Sequence, residues 1–177
     1  LSDSGHPAWS PDGELIAFEY FDGNKRGVAT IRADGSDVTY LTDSSEAEPA
    51  WSPDGTKIAF ITFPQFSSQP GIYVMNTDGS FKSLLVDIPS SSLSWSFDGA
   101  QIAFTCGGIC VINADGTGLT RLTNTKARSV AWSPDGQYIA YDKSDPFCFL
   151  CNVTGQLWIM KADGSQQTRL TDGPIDY

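Results

Sequence analysis

One five-residue motif occurs four times in this chain and constrains its fold more than any other feature. The motif is Trp-Ser-Pro-Asp-Gly, with Phe in place of Pro in the third copy. It begins at Trp9, Trp51, Trp95 and Trp132, at spacings of 42, 44 and 37 residues. Each copy is followed by an Ile-Ala-aromatic triplet, a second apolar run and a second Asp-Gly. A period of this length indicates an array of repeated structural units.

Each repeat is predicted to contain four short β-strands joined by tight turns. Asp-Gly between short apolar runs is a hairpin signal, because glycine adopts positive φ without steric cost, and we expect type I′ turns at the second Asp-Gly. Only four Glu and no apolar stripe at helical spacing argue against helices. We therefore predict an all-β fold. Strand one carries the Trp, strand two carries the triplet, and strand four ends at Leu41, Leu85, Leu122 or Leu170.

A four-stranded sheet of about 40 residues cannot bury both of its faces alone. Repeated sheets of this kind stack radially as the blades of a β-propeller. We expect one propeller domain of four blades, with approximate bounds 1–43, 44–87, 88–124 and 125–172. The repeated tryptophans are expected to pack sheet against sheet, and the aspartates of the motif to shape turns. Those aspartates are Asp12, Asp54, Asp98 and Asp135.

The order Trp-Ser-Pro-Asp-Gly, Ile-Ala-Phe, Asp-Gly, Leu-Thr resembles the PD40 repeat of TolB-like, WD40-like β-propellers. This repeat is also related to the propellers of prolyl-oligopeptidase-type enzymes. The resemblance extends over essentially the whole chain, and it implies a scaffold that binds a protein or peptide in the periplasm or outside the cell. Propellers of this kind usually have six or more blades. Three arrangements remain open: a closed four-bladed ring, a segment of a larger array, and half of an eight-bladed ring completed by a second copy in a homodimer.

The composition excludes nucleic acid as a partner and insertion into a membrane. The net charge is −10 and the isoelectric point about 4.3, while the 11 Lys and Arg residues are scattered rather than clustered on phosphate-binding patches. No apolar stretch approaches the roughly 20 residues that span a bilayer. Eight of the 17 Asp belong to the repeated Asp-Gly turns, so turn geometry explains much of the acidity. An acidic surface also favours basic partners.

The four cysteines form two local pairs, and each pair lies in the connection between a second and a third strand. Cys106 and Cys110 are separated by three residues, and Cys148 and Cys151 by two. Local disulfides, which the resemblance to exported propellers favours, are one interpretation. Free thiols and a tetrathiolate zinc site are the alternatives.

Candidate binding residues lie two positions before the repeated Ala/Ser-Trp, where the sequence varies between repeats. These positions hold His6, Glu48, Ser92 and Ser129, and Glu46 lies close by. In a propeller of the type resembled they would surround the entrance of the central channel. One histidine with several carboxylates there would hold a divalent cation or a polar ligand. Apart from this cation and the zinc alternative above, no cofactor is expected. The alternative is that all are solvated loop residues.

Three aromatic residues are further contact candidates. Phe66 and Phe147 lie in long loops that differ between the repeats, as binding loops on a constant scaffold do. Trp158 lies outside the repeated Trp series, and it either packs in the sheet or presents a surface aromatic group.

Catalysis finds little support in the sequence. There is no Gly-x-Ser, hence no nucleophile elbow, and the single histidine excludes zinc-hydrolase motifs that need two. We therefore expect a non-enzymatic scaffold that binds a protein or peptide partner. Two alternatives remain: the accessory propeller of a peptidase or other hydrolase whose catalytic domain lies outside this sequence, and a propeller that binds a small ligand or carbohydrate.

Overall fold

The structure is a computed structural model that describes residues 3–43, 46–63, 69–144 and 155–171. These residues form sixteen β-strands in four antiparallel sheets and contain no helix, which confirms the predicted all-β fold. In consequence, no described segment is a helix able to cross a membrane. The chain divides into two compact units, Leu1–Leu93 and Ser94–Tyr177.

The first unit contains two four-stranded sheets. The first sheet consists of β1 (Asp3–Trp9), β2 (Leu15–Phe21), β3 (Arg26–Arg32) and β4 (Thr39–Tyr40). The second sheet consists of β5 (Glu46–Trp51), β6 (Lys57–Thr62), β7 (Gly71–Asn76) and β8 (Ser83–Val86). In both sheets the strands lie side by side in chain order, as in a propeller blade.

The other two sheets have the same strand order. The third sheet consists of β9 (Leu93–Trp95), β10 (Gln101–Thr105), β11 (Ile109–Asn113) and β12 (Thr120–Arg121). The fourth sheet consists of β13 (Val130–Trp132), β14 (Tyr138–Ser144), β15 (Gly155–Lys161) and β16 (Thr168–Arg169). Every first strand ends at the repeated Trp, as predicted, and every fourth strand ends within one residue of the predicted leucine. The description of the chain as one propeller domain with the bounds given above stays a prediction.

The turns at the second Asp-Gly are not of type I′, so that expectation was wrong. After β3, Gly35 has a φ of 85° and donates its N–H to the carbonyl of Arg32 at 2.9 Å, whereas Asp34 is not among the residues with positive φ. Such a turn has three residues and ends in a left-handed glycine. The Asp34 carboxylate instead accepts hydrogen bonds from the backbone N–H and the hydroxyl of Ser36.

The turn after each first strand uses the Ser and Asp of the motif together. In the third sheet, the Ser96 hydroxyl donates to Asp98 at 2.6 Å and accepts the backbone N–H of Gln101 at 2.9 Å. The same bonds recur in the other three repeats. The serine hydroxyl and then a backbone N–H lower the pKa of each aspartate. The aspartates of the motif therefore shape these turns, as predicted.

The repeated tryptophans differ in how deeply they are buried. Trp51 is 9% exposed, packs against Ala17 and Val28 of the first sheet, and donates its indole N–H to the carbonyl of Ala8 at 3.1 Å. Trp9 departs from the packing expected for it, because no other sheet of the first unit covers it and it is 59% exposed.

The second unit has its own apolar core. Trp132 packs at the edge of a buried cluster that includes Val111, Tyr141 and Met160. Its backbone N–H donates to the Ser94 hydroxyl at 3.1 Å, and Ser94 occupies the position of Ala8 in this repeat. The third repeat therefore holds the tryptophan strand of the fourth repeat through a serine hydroxyl, a bond that alanine cannot make.

Candidate functional site

A β-bulge in each of the first two sheets positions the predicted residues His6 and Glu48. In β1, pairing with β2 is regular up to Gly5 and resumes at Ala8, so His6 and the following proline oppose a single residue of β2. In β5, the same irregularity lies between Ala47 and Ala50. The two bulged residues have φ values of 49° and 53°. Bulges redirect side chains locally, and these two are equivalent positions in neighbouring sheets of one unit.

The imidazole of His6 joins the two sheets. Its Nδ1 lies 3.0 Å from Oε2 of Glu19, a β2 residue, and its Nε2 lies 2.8 Å from Oε1 of Glu48. The other carboxylate oxygen of Glu19 lies 2.6 Å from Nε of Arg26 on β3. We call Arg26, Glu19, His6 and Glu48 the His6 network. Its four side chains come from four different strands of the first unit.

The His6 network is buried at Glu19 and accessible to solvent at His6 and Glu48. The Glu19 side chain is 9% exposed, whereas the side chains of Glu48 and His6 are 27% and 54% exposed. The buried Glu19 carboxylate is paired with both His6 and Arg26, and it restricts the rotamers of these two side chains. The imidazole is therefore held in one orientation before any ligand binds.

The surroundings of Glu48 act on its protonation. Burial raises the pKa of Glu48, the His6 charge opposes that shift, and the Glu19 charge adds to it. At the accessible end of the network, an imidazole nitrogen and a carboxylate oxygen lie side by side.

The structure brings His6 and Glu48 together but gives Glu46 a different role. Glu46 is 1% exposed, and its Oε1 lies 2.9 Å from Nζ of Lys82. A carboxylate so deeply buried supports the sheet instead of offering a surface contact, which corrects the expectation for Glu46.

The aromatic candidates have separate outcomes. Trp158 is half-buried against the core of the second unit, and Nζ of Lys143 lies 4.3 Å from the centroid of its ring. Packing combined with a cation–π contact is therefore its arrangement. Phe66 and Phe147 lie outside the described residues, and their assignment as contact residues stays a prediction.

Sequence reasoning missed Glu19 and Arg26. The signal for Glu19 was its place directly after the Ile-Ala-aromatic triplet, where the second and third repeats have Ile61 and Thr105. A carboxylate at a position that faces the interior needs a partner, and the bulged His6 supplies one. In the fourth repeat the equivalent Asp142 instead accepts two backbone N–H groups, at the entry of β13.

The predicted divalent cation has no ready ligand set in the described part of the chain. Among residues 3–43, 46–63, 69–144 and 155–171, no three His, Cys, Asp or Glu side chains are grouped so as to hold a metal ion. In the His6 network both ring nitrogens lie at hydrogen-bond distance from carboxylates, so neither nitrogen is directed at an ion. The cation at the channel entrance stays a prediction.

Cys106 and Cys110 form a disulfide, with Cα atoms 5.9 Å apart, as the local pairing predicts. It closes the connection between β10 and β11. Within it, Gly108 approaches Thr123 so closely that an added Cβ would lie 2.1 Å from the Thr123 carbonyl oxygen. The tetrathiolate zinc hypothesis is wrong for this pair, because its sulfurs are bonded to each other. Cys148 and Cys151 lie outside the described residues.

Removing this disulfide with the double substitution C106A/C110A should lower the free energy of unfolding by about 2 kcal/mol, since the bond restricts a short loop in the unfolded chain. Urea unfolding monitored by circular dichroism measures the change. Peptide mapping after alkylation is the control, because neither thiol should react before reduction. Reaction of both thiols without a reductant would contradict the assignment.

The first unit also contains an open cavity of about 500 Å³. Tyr20 and Tyr40 line it with their rings in edge-to-face contact at 4.7 Å, and Lys25 and Asp43 form an ion pair at its rim. Aromatic and polar groups together are typical of small-ligand pockets.

Comparison with known proteins identifies the repeat. The sequence profile of PD40, described as TolB beta propeller domain, matches residues 27–176. No curated protein sequence gives a significant match.

Solved structures agree with this assignment. Putative TolB from Agrobacterium tumefaciens is 22% identical with a TM-score of 0.83, over 98% of this chain and 67% of that chain. TolB from Acinetobacter baumannii is 19% identical with a TM-score of 0.77, over 96% and 43%. A chain of a nidogen/laminin complex is 15% identical with a TM-score of 0.73, over 98% and 64%.

Other proteins of similar fold are enzymes, so the fold alone does not decide activity. The present chain spans about two thirds or less of the length of the structures just described. At these identities the structural likeness shows the fold, and the profile match over most of the sequence shows the family. The chain belongs to the PD40 family, the TolB beta propeller domain.

Proposed function

We propose that this chain is a non-enzymatic scaffold that binds a protein or peptide through the surface around His6 and Glu48. The proposal rests on the pair of bulges, which place an accessible imidazole and an accessible carboxylate 2.8 Å apart. The buried Glu19, ion-paired with Arg26, supports the imidazole from below. Polar groups held in fixed orientation bind a partner with little loss of side-chain entropy.

A partner with basic residues suits this surface. The chain carries a net charge of −10, and Glu48 keeps one carboxylate oxygen beyond the contact to His6. Lys or Arg side chains of a partner would meet an acceptor at the tip of the network and a favourable long-range field.

Two further findings support a binding role outside the cytoplasm. One solved structure of similar fold contains two different proteins in complex, nidogen and laminin. The Cys106–Cys110 disulfide is typical of periplasmic and secreted proteins, which agrees with the TolB resemblance.

A peptide-display library selected on the immobilised chain tests this proposal. Selected peptides should be rich in Lys and Arg, and their dissociation constants, measured by calorimetry, should rise at least about tenfold for His6→Ala and Glu48→Ala. Asp37→Ala, in an exposed turn of the same unit, is the control and should leave affinity unchanged. Selection of no binder, or binders equally tight to all four proteins, would contradict the proposal.

A second candidate function is that of an accessory propeller that positions substrate for a catalytic domain. It is favoured by the enzymes among the proteins of similar fold.

The cavity lined by Tyr20 and Tyr40 favours small-ligand binding instead, and titration with neutral oligosaccharides followed through tyrosine fluorescence distinguishes that case.

A further inference from the structure

The register of β5 decides which way the side chain of Glu48 points. At the end of the strand, Ala50 pairs with Ala59 of β6. If this pairing continued regularly toward the start of β5, Glu48 would lie opposite Ile61. The observed partner of Ile61 is Ala47, because the bulge adds one residue to β5 between the two pairs.

Regular pairing would turn Glu48 away from His6. Phe60 of β6 belongs to one buried cluster with Ala17 of the first sheet, so this face of the second sheet is directed at the first. Ile61 follows Phe60 in the strand, and its side chain therefore points to the opposite face. A residue directly opposite Ile61 would share that face. The bulge is thus what brings the Glu48 carboxylate to 2.8 Å from Nε2 of His6.

A proline lies inside each of the two bulges. Pro7 follows His6, and Pro49 follows Glu48. The residue before each proline has a positive φ, 49° in the first strand and 53° in the second. A proline ring fixes φ near about −65°, whereas a regular antiparallel strand has a φ of about −140°. Proline within sheets therefore occurs at edges and bulges.

The fourth sheet shows the same segment without proline. Val130 occupies the proline position and pairs with Tyr141, and the pairing is regular from there to Trp132. Ser129, at the position of Glu48, is not among the described residues with positive φ. Where valine stands in place of proline, the strand is therefore regular.

We infer that Pro49 is a positioning residue for the proposed binding surface, because it keeps β5 bulged and thereby holds the Glu48 carboxylate against His6. Pro49 is itself buried, so it acts through Glu48 and not by contact with a partner. The inference rests on the proposed function only for its effect on partner binding, since the register of β5 can be measured in the chain alone. The third and fourth repeats have Leu93 and Val130 at this position, outside the five-residue motif.

Nuclear magnetic resonance of the Pro49→Val variant tests the inference. Nuclear Overhauser contacts between β5 and β6 should show Glu48 opposite Ile61, in place of Ala47. His6 is the single histidine of the chain, so its Nε2 resonance is assigned directly. That resonance should move to its position in the Glu48→Ala variant. The dissociation constant of selected Lys- and Arg-rich peptides should rise about tenfold or more, as for Glu48→Ala.

Pro53→Val, in the turn after β5, is the matched control and should leave the pairing, the resonance and the affinity unchanged. Pro49→Ala provides the same measurements if valine impairs folding, and melting temperatures verify that each variant folds. Retention of the Ala47–Ile61 pairing or of the wild-type Nε2 resonance in the folded Pro49 variant would overturn the inference. A changed pairing and resonance with unchanged peptide affinity would support the role of Pro49 and contradict the proposed function instead.

Discussion

Replacing Trp51 with Ala is expected to lower the free energy of unfolding by about 3 to 5 kcal/mol, the range for large aromatic side chains removed from a core. The side chain is 9% exposed and packs with Ile58, Phe60 and Met75, all fully buried. Its loss leaves a cavity where the first two sheets meet. Urea unfolding at dilute protein, monitored by circular dichroism, measures the change.

Two matched variants test the physical cause. Trp51→Phe keeps an aromatic ring but removes the indole N–H that donates to Ala8, and it should cost about 1 kcal/mol beyond its lost area. Trp9→Ala removes the same residue type at an exposed position and should change stability by less than about 1 kcal/mol. Equal losses at positions 9 and 51 would contradict the packing described here.

Acid is expected to destabilise this chain, with its melting temperature falling as the pH drops below about 4. All eight aspartates of the repeated Asp-Gly turns have a lowered pKa, because a Ser or Thr hydroxyl and then a backbone N–H bond the charged form. They are Asp12, Asp34, Asp54, Asp78, Asp98, Asp115, Asp135 and Asp163.

The direction in which stability changes with pH follows from the linkage between protonation and folding. A carboxyl whose pKa is lower in the folded state adds stability above its unfolded pKa of about 3.9, and that stability is lost as the pH falls through the folded pKa. Glu48 acts in the opposite sense, since burial raises its pKa and its contribution to stability declines as the pH rises. Asp22 also has a lowered pKa, so one opposing carboxyl against nine leaves a net loss of stability in acid.

Melting temperature measured between about pH 7 and pH 2 tests this expectation. The control variant carries Asn at the four second turns, D34N/D78N/D115N/D163N. Asn retains an oxygen that accepts the turn N–H but does not titrate, so the acid-induced drop should be clearly smaller. A variant that loses stability in acid as steeply as the wild type would show that the turn aspartates are not the cause.

The sequence predicted the strands correctly because Trp, the Ile-Ala-aromatic triplet and Asp-Gly recur in fixed order, and their order alone defines a four-stranded antiparallel sheet. It also predicted that His6 and Glu48 occupy equivalent places. Their contact was less accessible to prediction, since it depends on two bulges that redirect both side chains, and nothing in the motif specifies a bulge.

Identical residues in a repeat need not have identical surroundings. Trp9 and Trp51 begin the same motif, yet their exposed fractions are 59% and 9%, because burial depends on the neighbouring sheet and not on the local sequence. The turn type was mispredicted for a related reason. Loop length and strand pairing decide which residue adopts positive φ, and here the glycine does while the preceding aspartate does not.

The His6 network explains how a repetitive scaffold presents one distinctive surface. The buried Glu19 and its ion-pair partner Arg26 belong to the first sheet. The accessible end of the network joins that sheet to the second through His6 and Glu48. The third repeat has Ser at the corresponding position, and so does the fourth. Recognition is therefore expected where the repeats differ in chemistry while their backbone pattern is shared.

Hydrogen–deuterium exchange of the chain with and without a selected Lys- and Arg-rich peptide tests whether the surface around His6 and Glu48 binds a partner. We expect the peptide to slow exchange at the backbone amides of the two bulged segments, 5–8 and 46–50, and to leave the turn at residues 77–81 unchanged. Protection confined to other segments, with the two bulged strands exchanging as in the free chain, would contradict a binding site at His6 and Glu48.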